Sequence, residues 1–236
     1  RGVCCIEAWQ MLWPINNQES LALYDRLLRQ GRRFTLVGGS DWHQPAATGG
    51  GVVADRPVGD VWTDAFQVGN PTTWVDAPEL TVAAVLDAVR RGAVFVSEGP
   101  AGPMVDVRMS LRVSLSRAEA EDGTQPDGTA DDAASDTAAD TVGMGQQLVV
   151  GPGDAPVVEG LIVGARDDVA RWVGSNGVLR EVLIDADLFR DRWPLAEPTT
   201  YVRLEVVRRF AETGPAASLE RVRALSNPVY IVPRDA

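Results

Sequence analysis

The sequence predicts an α/β segment followed by an antiparallel, β-sandwich-like domain. Strand and helix patterns alternate up to about residue 103, and from Met104 apolar and polar residues alternate strictly. Several short apolar runs, separated by turn residues, then follow to the end of the chain. The stretch "GPAGP" (99–103) is rich in turn formers, so we place a boundary there, between domains at 1–103 and 104–236.

Two helices are predicted among the strands of the first domain. Residues 19–30 place Leu21, Tyr24 and Leu28 on one face and are followed by Gly31. A second helix, around 82–89, has apolar residues at i, i+3, i+4 and i+7 and is followed by a glycine. The predicted strands are "VCCIEAW" (3–9), "RFTLV" (33–37), "PTTWV" (71–75) and "AVFVS" (93–97). Strands alternating with helices are typical of parallel βα units.

The second domain is predicted to consist of antiparallel strands. The run "MVDVRMSLRVSLS" (104–116) has the period of two that marks a half-buried strand. The dipeptide Asn176-Gly177 lies between two further apolar runs and predicts a tight hairpin turn.

The composition excludes several classes of function. The net charge of -11 is concentrated in residues 117–140, which contain eight acidic residues and one arginine, so we expect a disordered acidic insert at about 117–143. No basic stripe is present, so we expect no charge-driven binding to nucleic acid. No apolar run approaches the roughly 18 residues of a membrane span. All basic residues are arginine, which excludes Schiff-base chemistry on a lysine.

The only histidine lies in "VGGSDWHQP" (37–45), directly after a predicted strand. In a parallel α/β layer, functional residues gather where strands end and loops begin. If the chain stays extended there, Asp41 and His43 point to the same side. Carboxylate oxygen and imidazole nitrogen suit zinc, manganese or iron, so the pair is a candidate for metal ligation. Alternatively, Asp41 is an ordinary turn residue and His43 a surface histidine.

Three further residues are candidates for the same site, and a fourth, in the second domain, is expected to have a structural role. Glu7, near the end of the first strand, either holds a metal ligand or a water in place or is simply a polar residue at a strand end. Thr72 and Thr73 are candidates for lining a substrate pocket, although half-buried threonines are common in strands. Arg203, in "YVRLEV", is expected to form a structural hydrogen bond.

The ordered motifs of the chain resemble those of the PHP (polymerase and histidinol phosphatase) domain. They are "IEAW", "LLRQGRR", "GGSDWH", "GNPTTWV" and "VLDAVRRGAVFVSEGPAGP". The likeness is greatest to carbaryl-hydrolase-like metallohydrolases, in which a β domain ends in a motif similar to "ALSNPVYIV" (224–232). The resemblance implies the C-terminal part of a distorted (β/α)7 barrel, followed by the β domain. It also implies two or three divalent ions (Zn, Mn or Fe), with Asp41 and His43 among their ligands.

The function implied by the resemblance is hydrolysis of a small phosphoester or a carboxylic or carbamate ester by a metal-bound hydroxide. Because the chain has one histidine and a closed barrel needs more strands, we expect the true N-terminus to be missing and the isolated chain to be inactive. The alternative is a non-catalytic protein used for binding or assembly. The sequence leaves oligomeric state and compartment undetermined, with a slight preference for the cytoplasm.

Overall fold

A computed structural model describes residues 4–11, 13, 16–41, 69–111, 141–210 and 220–234. Half of these residues lie in strands and 14% in helices. The helices are α1 (Asn17–Arg29) and α2 (Val82–Arg91). The strands are β1 (Cys5–Gln10), β2 (Thr35–Gly39), β3 (Thr72–Val75), β4 (Val94–Ser97), β5 (Met104–Leu111), β6 (Val142–Gly143), β7 (Gln147–Val150), β8 (Pro156–Val163), β9 (Val169–Gly174), β10 (Gly177–Leu183), β11 (Leu188–Pro194), β12 (Tyr201–Arg209), β13 (Glu220–Ser226) and β14 (Val229–Pro233).

The first three elements form one parallel βαβ unit. β1 and β2 pair in parallel, with Cys5 opposite Thr35, and α1 connects them. The predicted apolar face of α1 is buried, including Leu21, Tyr24 and Leu28. After the helix, Gly31 adopts a φ of 76°, a conformation that glycine reaches without the Cβ penalty of other residues.

The next helix does not cross the sheet. Thr81 caps the start of α2 through its hydroxyl, which accepts a hydrogen bond from the Ala84 amide, and Gly92, with a φ of 78°, caps its end. The chain then returns beside the strand it left: Val75, at the end of β3, lies opposite Val94, at the start of β4. β3 and β4 are therefore antiparallel, although a helix connects them.

The predicted α/β fold with part of a (β/α)7 barrel is wrong. The described residues are mostly β-sheet, with mainly antiparallel pairing, and contain two helices. A barrel of this type needs each helix to cross over to a parallel strand. Here only α1 does so, and β4 pairs antiparallel with β13, a strand from the other end of the chain.

The larger β structure consists of two sheets. One has the order β10-β9-β12-β13-β4-β3, with β14 pairing with β12 and with β7, and the other has the order β11-β8-β5-β6. A shared core of buried residues lies between them. Trp172 of β9 packs onto Gly160 of β8 so closely that a Cβ there would lie 2.6 Å from its ring. The sheets therefore form a sandwich-like pair, and the expected strand at 104–116 is present over its described part, 104–111, as β5.

Two other predictions can be compared with the described residues. The hairpin is present, but its turn residues are Ser175 and Asn176, one position earlier than predicted, and Gly177 pairs with Gly174. The acidic insert lies outside the described residues except for its end, where Val142 and Gly143 form β6. Neither helix seen in the described ranges is long and apolar enough to cross a membrane.

Asn227, between β13 and β14, joins the βαβ unit to the large sheet. Its side-chain oxygen accepts hydrogen bonds from the Leu36 amide (2.8 Å) and the Tyr24 hydroxyl (3.2 Å). Its amide nitrogen donates to the carbonyls of Leu36 and Val94, both at 2.9 Å. Asn227 is 1% exposed, so these backbone groups are protected from water and depend on this side chain for a partner.

Arg203 provides a second connection between the same parts. It is 1% exposed, and it donates two hydrogen bonds to Asp25 of α1 (2.9 and 2.8 Å) and one to Glu205 (2.7 Å). The expected structural hydrogen bond is thus confirmed. Because an unpaired buried charge is costly, these two carboxylates are what allow a guanidinium at this position.

An ion-pair cluster covers part of the large sheet. Arg171 donates to Glu181 and Glu220, and Arg209 donates to the same two carboxylates, at 2.7 to 2.9 Å. Hydrogen bonds from Arg209 and Arg171 lower the pKa of Glu181. Partial burial opposes such a shift at Glu220, but the same two arginines outweigh it and lower its pKa too.

We predict that Asn227→Ala lowers the free energy of unfolding by about 3 kcal/mol, because it leaves buried backbone groups of Leu36 and Val94 without partners. Urea denaturation of both proteins measures the difference. As a control, Gln18→Ala on the exposed side of α1 should change stability by no more than about 0.5 kcal/mol. Equal stability of Asn227→Ala and the wild type would contradict the proposed anchoring.

We predict that the ion-pair cluster loses its stabilising effect in acid. Because the folded-state pKa values of Glu181 and Glu220 are lowered from 4.5, their contribution is present above that pH and is lost as pH falls through the folded values. Urea midpoints at neutral pH and at about pH 3 should therefore differ less in Glu181→Gln/Glu220→Gln than in the wild type. Glu197→Gln, in the loop after β11, should retain the wild-type dependence. An unchanged dependence in the double variant would contradict the assignment.

Candidate metal and substrate site

The candidate site lies at the end of β2. This strand finishes with Gly38 and Gly39, and Asp41 follows two residues later with an exposed side chain. Asp41 has a φ of 48°, so the chain turns there. The extended backbone that was expected to align Asp41 with His43 is therefore not found at Asp41. His43 itself lies outside the described residues.

Gly38 is required by close packing around the end of β2. A Cβ at this position would lie 2.6 Å from Val96 Cγ1 and 3.0 Å from Pro71 Cγ. Such distances are shorter than carbon–carbon contacts allow, so a larger residue would displace β2 from its neighbours. Gly38 thus permits β2 to lie directly against β3 and β4.

Glu7 is brought to the same place from β1. Its Oε2 accepts a hydrogen bond from Gln10 Nε2 at 2.7 Å. Its Oε1 lies beside Gly39, where a Cβ would overlap the carboxylate. Gly39 therefore leaves room for the Glu7 carboxylate, two residues before Asp41. Glu7 as a residue is exposed to solvent.

The two candidate threonines also lie at this end of the sheet, and both hydroxyls contact backbone. Thr73 Oγ1 accepts from the Gly38 amide and donates to the Gly38 carbonyl, both at 2.9 Å. Thr72 donates to the carbonyl of Gly69. Thr73 therefore holds β3 against the end of β2, and the geometry gives it a positioning role that sequence reasoning did not identify.

Asn227 and Ser97 contribute to this region and were also missed. Asn227 fixes β2 at Leu36, three residues before its end. Ser97, at the end of β4, is fully buried, and its hydroxyl has no hydrogen-bond partner among the described residues. A polar residue inside an apolar run, as in "RALSNPVYIV", is a signal for a buried polar contact, but it does not identify the partner.

The described residues contain donors suitable for a metal but no complete ligand set. In the ranges that the structure covers, no three His, Cys, Asp or Glu side chains are grouped to hold an ion. Asp41 and Glu7 are oxygen donors, which fit a divalent cation in kind. Catalytic zinc sites, however, have three protein ligands and a water. The described donors thus fit such a site in chemistry and fall short of it in number.

Comparisons with protein family models, curated proteins and solved structures found no match to this chain.

We predict that Thr73→Val destabilises the protein by about 1–3 kcal/mol, because a nearly isosteric side chain leaves the Gly38 amide and carbonyl without their partner. Thermal unfolding followed by circular dichroism measures this change. Thr200→Val is the matched control at an exposed position, and it should stay within about 0.5 kcal/mol of the wild type. If both variants unfold alike, Thr73 does not position β2.

Proposed function

We propose that this chain contributes Asp41 and His43 as metal ligands to a hydrolase that cleaves small phosphoesters or carboxylic or carbamate esters. The observation that carries the proposal is an Asp-x-His sequence directly after β2, at the edge where the Glu7 carboxylate also lies. One or more zinc, manganese or iron ions suit this combination of oxygen and nitrogen donors.

The proposal assigns a separate task to each residue of the site. Asp41 and His43 hold an ion, and Gln10 orients the Glu7 carboxylate toward Gly39. Thr73 holds the backbone that leads into Asp41. A bound ion would acidify a water molecule and polarise the ester or phosphoryl group. The remaining ligands must come from residues beyond those described.

The order of the sequence motifs supports this function. The resemblance to carbaryl-hydrolase-like metallohydrolases includes the segment with Asp41 and His43 and extends to the strand after Asn227. The proposal does not need the (β/α)7 arrangement, which the structure contradicts. It needs only that Asp41 and His43 leave the same strand close together.

A non-catalytic binding or assembly role is the second candidate. The incomplete ligand set among the described residues favours it. It predicts that Asp41 and His43 bind no ion in the intact protein, so the metal measurements below separate the two functions.

We predict that Zn²⁺ shifts the imidazole NMR signals of His43 in the 236-residue chain in a saturable way. His43 is the only histidine of this chain, so its side-chain signals are identified without ambiguity. Asp41→Asn should weaken the response, because it replaces an anionic ligand with a neutral one. Asp167→Asn is the matched control, since Asp167 is also exposed and also has a positive φ, of 70°. An unchanged titration in Asp41→Asn would contradict joint ligation.

Activity is tested with the protein expressed from its complete reading frame. We expect it to copurify with transition metal and to hydrolyse a nitrophenyl ester or phosphate, and Asp41→Asn or His43→Ala should abolish both. For the 236-residue chain alone we expect no hydrolysis, because two ligands do not make a catalytic site. Normal metal content and rate in the variants would exclude the proposed site.

A further inference from the structure

The only two cysteines of the chain lie next to each other at the start of β1. Their sulfur atoms are 3.2 Å apart. Neighbouring residues of a strand normally point to opposite faces, so sulfur contact requires a departure from that alternation. Cys4 precedes the strand and is not bound by that alternation, whereas Cys5 is its first residue. The Cys4 carbonyl accepts a hydrogen bond from the Thr35 amide, so the backbone is held in this position by β2.

Both thiols are free, and the pair is open to solvent through Cys4, which is exposed. A disulfide between adjacent residues is strained, which favours the reduced dithiol. Burial, followed by the hydrogen bond and charge repulsion from Cys4, raises the pKa of Cys5 to about 11. Cys5 is therefore protonated at neutral pH and is a weak nucleophile when it acts alone. Chemistry that uses both sulfurs together is favoured over attack by Cys5.

The sulfur separation of the free dithiol can be compared with the separations required by ions that two thiols chelate. With sulfur bonds of about 2.3 Å, a separation of 3.2 Å corresponds to an angle of about 88° at the bound atom. A tetrahedral zinc ion with the same bond length would separate the sulfurs by about 3.8 Å. An angle near 90° is instead that of a pyramidal, trivalent centre with a lone pair, such as arsenic(III).

We propose that Cys4 and Cys5 form a dithiol site for trivalent arsenicals. Two As–S bonds form as two As–OH bonds of an R–As(OH)₂ group break, and the two thiol protons leave in two water molecules. Arsenic remains trivalent and both sulfurs keep their oxidation state, so no oxidant is needed. The chelate ring has one atom more than the corresponding disulfide ring, which relieves the strain of bridging adjacent residues. The proposal uses neither Asp41 nor His43, which follow β2, although Glu7 of the candidate hydrolase site lies two residues after Cys5 in β1.

Phenylarsine oxide is the probe for this site. We predict that the reduced chain binds one equivalent, loses both titratable thiols and retains the arsenical in excess mercaptoethanol, while dimercaptopropanol removes it. Cys4→Ser and Cys5→Ser should each lose the arsenical to mercaptoethanol. The matched control is Cys5→Ser/Gln18→Cys, which keeps two thiols but places one on the exposed side of α1. It should also lose the arsenical.

The same titration in urea tests whether the folded structure contributes. Because β1 and β2 hold the two sulfurs near the chelating distance, half-saturation should require about tenfold less phenylarsine oxide in the folded chain than in the unfolded one. Equal half-saturation would overturn the proposed preorganised site. Release from the wild type by mercaptoethanol, or retention by the separated pair, would overturn chelation by Cys4 and Cys5.

Discussion

The arrangement of the chain depends on the contact between Asn227 and the backbone of two strands. A carboxamide offers a donor and an acceptor, as a peptide group does, so Asn227 satisfies the amide and carbonyl of Leu36 as a neighbouring strand would. β2 and β4 belong to different hydrogen-bonded sheets, and the side chain of Asn227 bridges them by also donating to Val94. Since β2 leads directly to Asp41, this contact also determines where the candidate site begins.

The arginine-only set of basic residues is explained in part by buried ion pairs. Asp168 is fully buried and binds both Arg208 and Arg223, and Arg223 also binds Glu98, at 2.7 Å. A planar guanidinium can donate to two carboxylates or to both oxygens of one, which an ammonium group does with less geometric precision. These arginines are therefore used within the fold, and their number in the sequence is not evidence for an anionic partner.

Local periodicity predicted local structure well, and long-range pairing was beyond it. The buried face of α1 and the alternation of β5 follow from residues close in sequence, and both are present. The antiparallel relation of β3 and β4 depends on α2 returning at Gly92 beside the strand it left, and a strand–helix–strand pattern does not distinguish this return from a crossover. For the site, the sequence placed Asp41 after β2 correctly. The turn at Asp41 and the backbone contacts of Thr73 depend on tertiary neighbours.

The candidate residues gather at one edge because of strand direction and not because of a closed barrel. β1 and β2 are parallel. β2 and β4 run in the same direction, because the Asn227 amide contacts the carbonyls of Leu36 and Val94, and two residues further along both strands Gly38 lies beside Val96. The carboxyl ends of these three strands therefore meet at one edge. β3 runs in the opposite direction and brings its first residues, Thr72 and Thr73, to that edge. Glu7, Thr73 and the end of β2 are therefore neighbours although the predicted fold class is wrong, so the hydrolase proposal can be tested independently of that class.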